Sequence, residues 1–111
     1  MPKYLALFSY SDDAIAAMIE NPADREAAVR RVVESVGARL ESFYWMRGAY
    51  DGMAVIDAPG STTMAGIETA VKSSGAVRSE THDLFSPGEI QNILDCAKVA
   101  LANFTRPGQS S

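Results

Sequence analysis

The segment KYLALFSY, residues 3–10, is apolar at both odd and even positions. Side chains alternate between the two faces of a strand, so Leu5 and Leu7 lie on one face, and Tyr4 and Phe8 lie on the other. A strand with this pattern is buried on both sides. The fold must therefore place material on both faces of the sheet that contains this segment.

Three further strand patterns follow along the chain. Residues 38–47 alternate in polarity, which predicts that Leu40 and Tyr44 share a face. The turn sequence GAYDG then leads into MAVIDA, residues 53–58, which is again apolar on both faces. The fourth pattern covers residues 76–85 and is the most polar of the four. The sequence therefore predicts four strands, of which two need cover on both sides.

Helix patterns occupy the segments between these strands. Ser11 or Asp12 is placed to cap a first helix, and Asn21 followed by Pro22 predicts the start of a second helix at that point. Two more helices are predicted, over residues 62–74 and from the capping sequence Ser86-Pro87-Gly88-Glu89 onward.

The resulting order is β-α-β-β-α-β with the first helix broken in two and an extra helix at the C-terminus. This order predicts an α+β, ferredoxin-like fold in which the helices cover one face of the sheet. We expect a single domain over residues 1–104 and a flexible tail over residues 105–111. The simplest cover for the other sheet face is a second copy of the chain, which predicts a homodimer or a multiple of dimers.

The charge and the cysteine content of the chain indicate which kinds of partner and which cellular compartment to expect. The chain has 111 residues, 14 acidic and 10 basic side chains, and a net charge of −4. It lacks the basic stripe that neutralises phosphates, so we expect no nucleic-acid partner. Its apolar runs are too short to span a bilayer, so we expect no membrane association. Cys96 is the only cysteine, which excludes an internal disulfide and favours a cytoplasmic location.

The sequence FYWMRGAYDGMAVIDAP, preceded by PKYLALFSY and NPADR and followed by SGAVRSETHDLFSPGE, resembles the GYD-domain family of small prokaryotic proteins. The element that names this family corresponds here to Gly48-Ala49-Tyr50-Asp51. The resemblance covers roughly residues 2–90. It implies a dimeric α+β barrel of ferredoxin-like subunits, and it implies no particular reaction or cofactor.

Two acid–base candidates stand out. The Asp51 carboxylate is either an anchor that accepts backbone N–H bonds in the turn or a general base at the mouth of a cavity. His82, the only histidine, is either a hydrogen-bonded strand residue or an acid–base group or haem ligand in a cavity between subunits. No ligand spacing for a metal accompanies it, so we predict no metal site, and the sequence indicates no cofactor.

Aromatic and basic side chains near the second strand are candidates for ligand binding. Tyr44, Trp45 and Arg47 either pack at the rim of the sheet or form a pocket wall with one cation for a carboxylate or phenolate. Tyr50 and Arg78 complete the predicted ligand-binding set.

These residues allow three interpretations of function. The leading one is a homo-oligomeric protein that binds a small molecule in a cavity between sheets, lined by Tyr44, Arg47, Tyr50 and His82. The alternative is a cofactor-independent enzyme acting on a small aromatic or carbonyl compound, in which Asp51 or His82 moves a proton and Arg47 or Arg78 stabilises negative charge. In the third interpretation the partner subunit fills the sheet face, and the protein only assembles.

Overall fold

The computed structural model describes residues 1–109 as an α+β structure, with a four-stranded antiparallel sheet and four α-helices. The strands are β1 (Lys3–Tyr10), β2 (Arg39–Trp45), β3 (Gly52–Asp57) and β4 (Val77–Leu84). The helices are α1 (Asp12–Glu20), α2 (Arg25–Ser35), α3 (Ser61–Ser73) and α4 (Ile90–Ala102), and a single 3₁₀ turn, Pro87–Glu89, precedes α4. The predicted order of elements is confirmed. The last two residues of the predicted tail, 110 and 111, lie outside the described residues.

The strand order across the sheet is β2-β3-β1-β4, with every neighbouring pair antiparallel. β1 is therefore a central strand, and its Leu5 lies between Val55 of β3 and His82 of β4. β1 is hydrogen-bonded on both edges. On one face its Tyr4 and Phe8 are buried in the core, whereas Leu5 and Leu7 on the other face are only half-buried. The cover on both faces that the apolar pattern of residues 3–10 predicts is therefore present on one face only within the described residues. The arrangement is compatible with the ferredoxin-like fold.

Side chains near the helix N-termini fix where α1 and α2 begin. The Ser11 hydroxyl accepts the Ala14 N–H at 3.1 Å, which confirms a cap at that position. The predicted start of α2 at Asn21 is wrong, because the Asp24 carboxylate accepts the Ala27 N–H at 3.0 Å and α2 begins one residue later. Asn21 instead follows the end of α1. A carboxylate at the N-cap also complements the positive end of the helix dipole.

The hydrophobic core lies between one face of the sheet, termed here the helix face, and helices α2 and α3. Val33 of α2 is fully buried, and Met64 and Ile67 of α3 are buried against the strands. From the sheet, the core receives Tyr4, Phe8, Leu40, Ala54 and Ile56.

β2 carries an irregularity that the alternating pattern did not predict. The pairing with β3 shifts between Leu40 and Ser42, so one extra residue is inserted into β2. Beyond this bulge the faces are exchanged: Leu40 is buried in the core, whereas Tyr44 is exposed on the opposite face. The prediction that Leu40 and Tyr44 share a face is therefore wrong, because a bulge resets the two-residue period.

α4 stands apart from the body formed by the sheet and α1 to α3. None of its residues is buried, and its apolar stripe is open to solvent, with Leu101 at 72% exposure. The molecule accordingly measures 62 × 31 × 24 Å, and its radius of gyration is 18.3 Å, against about 13 Å for a compact chain of this length. None of the helices described within residues 1–109 combines the length and hydropathy needed to cross a bilayer.

Candidate functional site

The sheet face opposite α2 and α3, termed here the open face, carries a central apolar patch. Leu5 and Leu7 of β1 are half-buried there, beside Met53 and Val55 of β3. Among the described residues no helix packs over this patch. Charged and polar groups border it in two clusters, one at the end where Lys3 pairs with Asp57 and one along β4.

At one end, Asp57 joins three strands. Its carboxylate accepts Lys3 Nζ of β1 at 2.7 Å and Arg39 Nε of β2 at 3.1 Å, and Arg39 Nη2 lies 2.5 Å from the same carboxylate. Asp57 is only 3% exposed, while Lys3 also binds Glu41 at 2.6 Å. Hydrogen bonds from Lys3 and then Arg39 hold the pKa of Asp57 below its ordinary value.

Along the β4 side of the patch, Tyr50, Glu80 and His82 form the second cluster. The Tyr50 hydroxyl donates to Glu80 Oε1 at 3.0 Å, and His82 Nε2 lies 2.5 Å from Glu80 Oε2. Hydrogen bonding from His82 and then Tyr50 lowers the pKa of Glu80, and the Glu80 carboxylate in turn raises the pKa of the Tyr50 phenol. Glu80 was not among the predicted site residues. Its position two residues before His82, on the same face of β4, was the available signal.

Asp51 is engaged elsewhere, with the backbone of β1. Its carboxylate accepts the Tyr10 N–H at 2.8 Å, and its own N–H donates to Phe8 O at 2.8 Å. Its carbonyl accepts the Met46 N–H at 2.7 Å, which closes the loop. This is the bonding expected of a turn anchor. Tyr50 and Asp51, although adjacent, therefore contact different strands.

The remaining predicted ligand residues are divided between the two faces. Tyr44 and Arg78 lie exposed on the open face, and Arg47 lies exposed in the loop between β2 and β3. Trp45 lies on the helix face in an aromatic cluster, with its ring centre 5.9 Å from that of Tyr10. The other rings of this cluster belong to Phe8 and Phe43. The structure thus joins Tyr50 to His82 through Glu80 and separates Trp45 from both.

A cavity of about 270 Å³ opens between α2, α3 and the helix face. We term it the helix-side cavity. Most of its lining is apolar, from side chains that include Phe8, Val29, Val33, Ile56, Met64 and Ile67. None of Tyr44, Arg47, Tyr50 and His82 lines it. The sequence prediction did not include this cavity.

Comparison with known proteins now identifies the family. The model of the GYD domain matches residues 4–94, which include β2, β3 and β4, all of β1 except Lys3, and the whole Tyr50–Glu80–His82 cluster. The chain belongs to the GYD domain family. It is also 26% identical, over 81 residues, to a Thermus thermophilus protein named glutamine synthetase and cystathionine beta-lyase binding protein. That match covers 73% of this chain and 85% of the relative. No solved structure matches the chain.

Within this GYD domain, each key position of the loop that carries the Gly-Ala-Tyr-Asp element has a different structural role. Gly48 has φ = 127°, a backbone conformation that a side chain disfavours. Tyr50 reaches β4 through Glu80, and Asp51 binds the backbone of β1. Gly52, the next residue, lies against the Phe8 ring. The family match ends at Leu94, so the second half of α4 lies beyond it.

Cysteine and acidic side chains do not form a further site. Cys96 is exposed on α4, and within residues 1–109 no group of three or more His, Cys, Asp or Glu side chains is arranged to hold a metal ion.

Proposed function

We propose that this GYD domain is a homo-oligomeric binding protein whose subunits pair through the open face. The observation that carries this proposal is the uncovered apolar patch of Leu5, Leu7, Met53 and Val55 at the centre of the sheet. Apolar side chains on a central strand favour burial against another sheet face. Two copies related by a two-fold axis bury the same patch on each other, because such an interface is self-complementary.

The exposed area of the chain supports a second copy as the occupant of this face. A compact monomer of 11.9 kDa exposes about 6,000 Å². This chain exposes 8000 Å². The surplus of about 2,000 Å² exceeds the roughly 800 Å² that each partner buries in a standard interface. The apolar stripe of α4, with Ile90, Leu94 and Leu101 exposed, contributes to this surplus.

We propose that this oligomer binds a metabolic enzyme. The support is the name of the Thermus thermophilus relative, which describes a protein that binds glutamine synthetase and cystathionine beta-lyase. A homo-oligomer presents each outer surface more than once, and repeated presentation raises the avidity for an enzyme that is itself an oligomer.

Leu5→Lys tests the assembly. Leu5 is half-buried in the monomer, so a lysine there can extend into water, but in a paired sheet it places a charge in an apolar interface. Light scattering on a sizing column is expected to give a dimer or a multiple of dimers for the wild type and a monomer for Leu5→Lys. Ala17→Lys, which adds the same charge on the exposed face of α1, is the control and is expected to keep the wild-type mass.

The same proteins test the enzyme partner. Wild type, Leu5→Lys and Ala17→Lys are immobilised in turn and exposed to purified glutamine synthetase and to purified cystathionine beta-lyase. The proposal expects saturable binding of at least one enzyme to the wild type and to Ala17→Lys, with weaker binding to the monomeric variant. A monomeric wild type contradicts the assembly, and a dimer that binds neither enzyme contradicts the choice of partner.

One observation favours a second candidate function. The Tyr50–Glu80–His82 cluster connects a phenol, a carboxylate and an imidazole on the face where two sheets would meet. In this version a small aromatic or carbonyl compound binds between the sheets beside Tyr44 and Arg47, and the cluster transfers a proton.

Exchange of the methyl protons of acetophenone in D₂O, followed by NMR, measures such proton transfer directly. The second candidate expects His82→Gln to slow this exchange by about 10²-fold or more without lowering the melting temperature. If Asp51 is the base, Asp51→Asn has the same effect. If Asp51 is only the anchor of Tyr10, that variant keeps the exchange rate and loses roughly 1–2 kcal/mol of stability. Exchange no faster than in buffer alone contradicts this candidate.

A further inference from the structure

We propose that the helix-side cavity is a binding site for a small, largely apolar molecule that carries an anionic group. This cavity lies on the opposite side of the sheet from the open face. It is formed within one subunit, so the proposal does not rest on subunit pairing.

The size of the cavity limits the size of its occupant. The cavity is open to solvent at one side, where the exposed residues Arg31 and Val32 line it. An apolar void of about 150 Å³ stays dry and holds a benzene molecule. The helix-side cavity measures about 270 Å³, which leaves room for a molecule of roughly twice that size, such as a fused pair of aromatic rings.

Small side chains keep the cavity open from three directions. Ala6 of β1, Ala54 of β3 and Ala28 of α2 all line it. Ala6 and Ala54 are directly paired across the two central strands, so the floor of the cavity is two methyl groups where larger residues would fill the space. A chain that had only to fill its core would place Val, Leu or Ile at such positions.

Polar groups beside the cavity indicate the chemistry of the occupant. Two cationic side chains of α2, those of Arg25 and Arg31, line the cavity, and the lining contains a single carboxylate, that of Glu68. Arg31 forms no ion pair with any other described residue. Within residues 1–109 the Thr81 hydroxyl, also in the lining, is buried and has no hydrogen-bond partner. An anionic group meets the guanidinium groups, and a polar atom of the occupant can satisfy Thr81.

The experiment uses 2-naphthoate as the probe, with titration calorimetry on the full chain. We expect saturable binding at one molecule per subunit. Ala28→Leu fills the cavity from α2 and is expected to weaken binding at least tenfold while raising the melting temperature. Ala27→Leu is the matched control, because Ala27 is adjacent on the same helix but exposed to solvent and outside the cavity lining.

The anionic part of the proposal has its own control. Arg31→Gln is expected to weaken the binding of 2-naphthoate about tenfold, in the range of a lost charge-assisted hydrogen bond, and to leave the binding of its neutral isostere 2-naphthamide unchanged. Arg106→Gln removes the same charge outside the cavity and is expected to change neither affinity.

Three results overturn the proposal: no binding to the wild type, equal loss in Ala27→Leu and Ala28→Leu, or full binding to Ala28→Leu. If Ala28→Leu fails to fold, Val71→Phe fills the cavity from α3 and serves the same comparison. Because the site lies within one subunit, the monomeric Leu5→Lys variant is expected to bind the probe as the wild type does. Failure of subunit pairing and failure of this site are therefore distinguishable.

Discussion

Gly52→Ala is expected to destabilise the protein by about 3 kcal/mol, at the upper end of what overpacking costs. A Cβ at this position would lie 2.4 Å from Phe8 Cζ and 2.6 Å from Phe8 Cε2. It would also lie 2.9 Å from the backbone oxygen of Tyr44. Contacts this short require the ring, the strand or both to move.

Neither neighbour of Gly52 has much freedom to move. The Phe8 ring is stacked on Phe43, with ring centres 5.5 Å apart, and meets Tyr10 edge-on at 5.7 Å. The Tyr44 oxygen belongs to β2, where residues 42–45 pair with β3. Displacing the ring disturbs the aromatic cluster, and displacing the oxygen disturbs the sheet at the start of β3.

Urea denaturation at one fixed protein concentration measures the change, since assembly makes stability depend on concentration. Gly66→Ala is the matched control, because Gly66 is inside α3 and a Cβ there has no neighbour within 4 Å. That substitution is expected to stabilise by about 0.5–1 kcal/mol. In the Phe8→Leu background the cost of Gly52→Ala is expected to shrink but to remain, because the Tyr44 oxygen is still present. A neutral Gly52→Ala variant would contradict the close packing described for this loop.

Gly52 also shows where the sequence was informative and where it was not. The GAYDG segment predicts a turn between two strands, and the structure has one. The sequence suggested a conformational role for Asp51-Gly52, whereas Gly52 is needed for space beside Phe8. Such close approaches depend on residues distant in sequence, so a local pattern cannot show them.

The element order was predictable because each strand and helix carries its own periodicity. The sequence did not predict which side chains of β2 lie on which face. One residue inserted at the bulge exchanges the two faces beyond it, and the alternating pattern of the sequence does not change. The Tyr50–Glu80–His82 cluster was predictable in part: His82 and Tyr50 were candidates, but only the register of β1 with β4 brings Glu80 within reach of the loop. The helix-side cavity depends on three alanines from three elements, and such alanines have no signature in any one segment.

Asp57→Asn is expected to destabilise the protein by about 2 kcal/mol at neutral pH. Asp57 is almost fully buried, and within residues 1–109 it is the only acceptor shared by Lys3 and Arg39. Asparagine keeps the shape but removes the charge, and its amide group faces a cation. Breaking a fully buried ion pair costs more than this. The expected loss is smaller here because the Lys3 and Arg39 side chains are 47% and 67% exposed, so water screens their attraction to Asp57.

The pH dependence distinguishes the effect of the lost charge from the effect of the altered hydrogen bonds. Lys3 and Arg39 lower the pKa of Asp57 in the folded protein below the value of about 4 that an aspartate has in an unfolded chain. The unfolded chain then binds the proton first as pH falls. The contribution of Asp57 is therefore fully present above about pH 5 and is lost as pH falls through the folded pKa. The Asp57→Asn variant has no carboxylate at this position to protonate. The difference in the free energy of unfolding between the two proteins is therefore expected to shrink as the pH falls.

Urea denaturation at a series of pH values, from neutral to the acid limit of folding, tests this expectation. Asp83→Asn is the control, because Asp83 is an exposed carboxylate that forms no ion pair among residues 1–109. It is expected to change stability by less than about 0.5 kcal/mol. A difference between Asp57→Asn and the wild type that stays constant with pH would show that the loss comes from the hydrogen bonds of the asparagine amide and not from the missing charge. A shrinking difference would show that the negative charge of Asp57 holds β1, β2 and β3 together at this end of the open face, where the proposed second subunit packs.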